Sequence, residues 1–64
     1  MRINRLEFIK VLIMRDMTQK QLAEKAGVSR ATVNGIKNGR SCSDKSALKI
    51  ANALGVPIES LLEN

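Results

Sequence analysis

Residues 18–39, TQKQLAEKAGVSRATVNGIKNG, read as two short helices joined by a tight turn. Thr18 offers a hydroxyl N-cap, and Gln21, three residues on, offers an amide that can return the bond, so each satisfies an orphan backbone N–H of the other. Leu22, Ala23 and Ala26 follow at helical spacing. Gly27 ends this helix, because glycine takes left-handed backbone angles without a steric penalty. Val28 then turns inward and Ser29 caps a second helix over 30–38, whose buried pair is Val33 and Ile36. Ala23 is small where two helices crossing at a tight turn leave little room.

At 100° per residue, the arc opposite Val33 and Ile36 carries Arg30, Ala31, Asn34, Lys37 and Asn38. No Asp or Glu lies between Val28 and Ser43. An exposed face with two cations, two carboxamides and no carboxylate has the chemistry that a DNA major groove requires. Arg30 is the leading candidate for a base contact, because guanine presents two acceptors that match the guanidinium fork; such a pair discriminates by about 1–3 kcal/mol. Beside it, Ala31 suits a thymine methyl, Asn34 an adenine edge, and Ser29 either a base or a phosphate.

Taken in order, Gln19, Leu22, Ala23, Ala26, Gly27, Val28, Val33 and Ile36 resemble the helix-turn-helix signature of the lambda-repressor-like (Cro/CI-type, XRE) DNA-binding domains. The resemblance continues through ALKIANALGV at 47–56 and ESLL at 59–62, so it covers nearly the whole chain. It implies an all-α fold of five helices, with the helix-turn-helix formed by the second and third. It also implies that Gln19 contacts the DNA backbone, as suits the first turn of a helix, where free N–H groups and the dipole attract phosphate. Asn38 and the Gly39 amide match a second backbone clamp, with Lys37, Arg40 and Lys45 adding charge and Thr32 on the flank. Phe8 and Val11 match positions that the family buries against the motif. The chain departs from the family at Leu12 and Lys37, where many members pair an arginine with a glutamate, and at Cys42, often a proline.

The 64 residues suffice for one domain, 1–64, near the lower limit for folding on its own core. Apolar residues make up 44% and Phe8 is the only aromatic, as fits a small bundle of aliphatic helices. A first helix is expected over 5–15, after an arm in which Asn4 is a candidate cap. Its apolar residues cover most of the circumference: Leu6, Ile9 and Ile13 form a second stripe, suited either to the core or to a partner. A fourth helix is expected from 44 to 53 or 54, burying Leu48, Ala51 and Leu54. Gly55 ends it, and Pro57 opens a last short helix with Ile58, Leu61 and Leu62 on its apolar side.

With no His and six acids, and without a glycine-rich phosphate loop or metal-ligand cluster, no catalytic, cofactor or metal site is expected, nor an evident small-molecule ligand. The net charge of +5 suits a polyanionic partner, and its distribution is uneven. Residues 30–49 hold Arg30, Lys37, Arg40, Lys45 and Lys49 against Asp44, whereas 50–64 hold only Glu59 and Glu63, so a basic and an acidic end are expected. The single cysteine excludes an intrachain disulfide and suits a reducing cytoplasm. The apolar runs are too short for a membrane span.

The sequence therefore points to a cytoplasmic, sequence-specific double-stranded DNA-binding repressor. It is expected to act as a homodimer on an inverted repeat, with Leu6, Ile9 and Ile13 or Ile58, Leu61 and Leu62 as the interface. The rival reading is a protein-interaction module of the same fold, an antitoxin or anti-repressor.

Overall fold

The computed structural model describes residues 1–63. Four α-helices follow one another: α1 (Arg5–Met14), α2 (Gln19–Ala26), α3 (Arg30–Lys37) and α4 (Asp44–Leu54). The expected fifth helix is a single 3₁₀ turn, Ile58–Ser60. It is short because Leu61 must turn straight back into the core, where it is fully buried.

The caps that delimit these helices are the ones the residue types favour. Asn4 accepts from the Leu6 and Glu7 amides at 3.0 and 3.2 Å. The capping box of α2 is complete, with Thr18 N donating to Gln21 Oε1 at 2.9 Å and Gln21 N to Thr18 Oγ1 at 3.1 Å. Ser29 and Ser43 cap α3 and α4 through the Thr32 and Ser46 amides, each at 3.1 Å. Gly27 and Gly55 close α2 and α4 at φ 71°, a backbone region open to glycine. The first helix ends one residue early, at Met14, because Asp16 takes φ 52° and breaks it. Asp visits that region more readily than most side chains.

One core joins all four helices through Phe8, Leu12, Leu22, Ala23, Val33, Ile36, Ala47, Ile50, Ala51 and Leu54, with Ile3 and Leu61 added from the ends of the chain. Val11, Met17, Ala26, Val28 and Val56 pack against its edge. At position 12, leucine is buried in the core, and Lys37 stands exposed rather than in a strut to α1.

Two expectations are corrected here. Leu48 is 53% exposed, and α4 turns Ala47, Ile50, Ala51 and Leu54 inward instead. The inward face carries the small Ala47 and Ala51, and α4 packs on α2. Leu61, expected at an interface, lies in the core, and its carbonyl receives the Asn4 amide at 2.6 Å.

The arm before α1 carries more of the fold than its sequence suggested. Ile3 is fully buried and forms an antiparallel bridge with Leu62, while Glu63 N donates to Arg2 O at 3.1 Å. Cys42 N donates to Met1 O at 3.0 Å, so the same arm pins the α3–α4 loop. It also sets the basic Arg2 beside Glu63.

Candidate nucleic-acid interface

The face of α3 follows from which of its residues the core takes. Val33 and Ile36 are buried, Thr32 and Gly35 are half-buried, and Arg30, Ala31, Asn34, Lys37 and Asn38 are all exposed. The five residues placed on one arc by helical periodicity therefore share one solvent-facing surface. Eight residues at 1.5 Å each make α3 about 12 Å long, so the surface spans a few base pairs at most.

Among the described residues, one ion pair is present, between the Met1 amino group and Asp44 at 3.6 Å. Arg30, Lys37, Arg40 and Lys45 are exposed and none has an acid within ion-pair distance. Their charge is thus available to an outside anion. The carboxamides of Asn34 and Asn38 likewise make no hydrogen bond within the described chain.

The structure sorts the expected backbone contacts into two flanks of α3. Gln19, at the start of α2, and Lys37, at the end of α3, line one cleft of about 410 Å³ together with Ile9, Leu12 and Ile13. On the other flank, Ala31, Thr32 and Arg40 line a second cleft with Ser43 and Ser46 at the start of α4. Lys45 is exposed within the first turn of that helix. Both flanks thus combine helix-start N–H groups with a cation, a combination suited to phosphate, while Asp16 also lines the first cleft and Asp44 stands in the first turn of α4.

Two groups are less available than the sequence implied. The Gly39 amide donates to Ile36 O at 3.0 Å, closing α3, so the carboxamide of Asn38 is the group left for a clamp there. The Thr32 hydroxyl lies 2.9 Å from Ser29 Oγ, so these two side chains already hydrogen-bond to each other. Cys42 is half-buried, and burial is the main cause that pushes its thiol pKa up, opposed by the Met1 amino group and reinforced by Asp44. A raised thiol carries less thiolate and reacts more slowly.

The arrangement of α2, turn and α3 has counterparts among known proteins. A family described as Helix-turn-helix matches residues 9–61. This chain belongs to the helix-turn-helix family, in its lambda-repressor-like, XRE branch. It is 42% identical over 59 residues to an uncharacterized HTH-type transcriptional regulator, MJ0272, of Methanocaldococcus jannaschii, covering 91% of this chain and 86% of that protein. It is also 40% identical over 47 residues to the HTH-type transcriptional regulator PrtR of Pseudomonas aeruginosa, covering 73% of this chain but only 18% of PrtR. Among solved structures, the transcriptional regulator VanUg superposes with a TM-score of 0.81 at 29% identity, over 97% of this chain and 83% of that one. A hydroxyethylphosphonate dioxygenase contains the same fold, with a TM-score of 0.89 at 23% identity, but this chain matches 14% of it. That likeness concerns the fold alone.

The part of the fold with the weakest signal in the sequence is the arm before α1. Ile3 and the arm lie before the matched residues, and the only local signal was one isoleucine in a polar lead-in. No helix among the described residues is long and apolar enough to cross a membrane.

Proposed function

We propose that this protein reads duplex DNA by sequence, regulates transcription and represses by occupying its operator. The observation that carries the reading is the exposed, carboxylate-free face of α3, whose cations and carboxamides have no partners within the described chain. In this mechanism α3 lies in the major groove. Arg30 pairs with a guanine, while Ala31, Asn34 and Ser29 meet neighbouring base edges. Gln19 and Lys37 on one flank, and Asn38, Arg40, Lys45 and Thr32 on the other, hold phosphates and fix the helix in register.

Such a module meets only a few base pairs, so useful specificity calls for two copies on an inverted repeat, with half-sites about 34 Å apart. Leu6 and Ile13, at 68% and 73% exposed, support the α1 stripe as the contact between copies, with half-buried Ile9 at its edge. At the other candidate surface, Ile58 and Leu62 are half-buried and Leu61 is in the core, so less apolar area is left for a partner.

Selection from a randomised duplex pool at physiological salt tests the reading. Enrichment of an inverted repeat is the expected result, and a single half-site would retain DNA reading but remove the dimer. No enrichment, with only weak salt-sensitive retention, would overturn the proposal in favour of the protein-interaction module.

A further inference from the structure

Arg5 opens α1, far in sequence from the recognition helix, yet its side chain lies at the C-terminal end of α3. Its Cδ is 3.8 Å from the point where a Cβ on Gly39 would stand. Gly39 takes φ 85°, and the turn it makes directly follows Asn38. Arg40 lies over the other glycine of this region, with its Cδ and Cβ at 3.7 and 3.8 Å from the Cβ position of Gly35. Two arginine stems therefore rest on two glycines at the C-terminal end of α3, where Asn38 is the cap and directly precedes Gly39. Both arginines are exposed, and neither has an ion pair or a side-chain hydrogen bond among the described residues.

The first helix gives no reason for a cation at position 5. Arg5 is the first residue of α1, where the helix dipole disfavours positive charge. Glu7, two residues on, does not face it on the helix surface. We propose that Arg5 is a phosphate-contacting residue, which together with Asn38 and Arg40 forms a clamp for one DNA strand at the end of the recognition helix. The inference rests on the DNA-binding reading above. A guanidinium suits the role because its planar fork matches two phosphate oxygens. A purely structural role is also definable: Arg5 would then complement the negative end of the α3 dipole, and its loss would lower stability without changing the response to salt.

The test is the affinity of the full chain for its selected duplex between 50 and 200 mM salt, followed by fluorescence anisotropy. Each phosphate contact contributes about 0.9 to the logarithmic salt slope, so Arg5→Ala should shrink the fall in affinity over this fourfold range by about 3.5-fold. Base preference and melting temperature should stay as in the wild type, and Arg5→Lys should keep the slope. Arg15→Ala is the control for net charge, because Arg15 is exposed and its guanidinium lies beside Gly55, at the opposite end of α4 from Lys45. A wild-type slope in Arg5→Ala, or an equal loss in Arg15→Ala, would overturn the assignment. Failure of the underlying reading looks different: the wild-type chain would itself prefer no duplex, and the assignment would fall with it.

Discussion

Replacing Ile3 with alanine should cost this protein a large part of its stability, although Ile3 lies outside every helix. The side chain is fully buried, and its backbone neighbours bridge to Leu61, Leu62 and Glu63. Truncating a buried isoleucine to alanine removes its transfer energy and leaves a cavity, together about 2–5 kcal/mol. At roughly 0.05–0.15 kcal/mol per residue, a chain of 64 residues has about 3–10 kcal/mol in all. The expected loss is toward the lower end, about 2–3 kcal/mol, because an arm can detach locally before the helices unfold. At about 4–8 °C per kcal/mol, the melting temperature should fall by at least about 8 °C. Urea titration followed by circular dichroism measures this directly, as a shift in midpoint at constant slope. Ile13→Ala, on an exposed isoleucine, is the comparison and should stay within about 0.5 kcal/mol. If Ile3→Ala also falls within that margin, the arm does not contribute to the core in solution.

Arg30→Ala should relax preference at one base pair at a cost of about 1–3 kcal/mol on the preferred site, whereas Lys45→Ala should weaken all duplexes alike and flatten the salt dependence; selection and titration with both variants check this. Leu61→Lys should unfold the chain because it places a charge in the core, while Ile13→Lys should leave a folded protein, monomeric if the α1 stripe joins two copies; circular dichroism and sedimentation distinguish these outcomes. Burial raises the Cys42 thiol pKa in the folded state, so alkylation near neutral pH should be slower than in the urea-unfolded chain. The sign for stability follows from the same shift: the folded chain holds the proton longer, so this contribution is complete below the unfolded pKa and is lost as pH rises through the folded one. An alkylation rate equal to that of the unfolded chain would contradict this burial.

The residues from Thr18 to Asn38 were legible because their signals are local. The capping pair, the glycine that must turn left-handed and the spacing of Val33 and Ile36 each lie within a few residues. They fix helix ends and the exposed arc without reference to the rest of the chain. The arc of Arg30, Ala31, Asn34, Lys37 and Asn38 is solvent-facing for that reason. On α4, by contrast, apolar residues at 47, 48, 50, 51 and 54 permit more than one inward face. The face that packs on α2 left Leu48 outside.

By itself, then, the sequence determined the helices, their caps, the helix-turn-helix and the composition of its exposed face. Tertiary structure decided which surplus apolar residues were needed for burial: Leu61 went to the core, and Leu6 and Ile13 stayed outside. It also decided which distant residues meet. Ile3 pairs with Leu62, the arm holds the loop at Cys42, and Arg5 reaches Gly39. Helical periodicity reports only which side of its own helix a residue occupies; contacts between residues far apart in sequence follow from how the chain closes around a shared core.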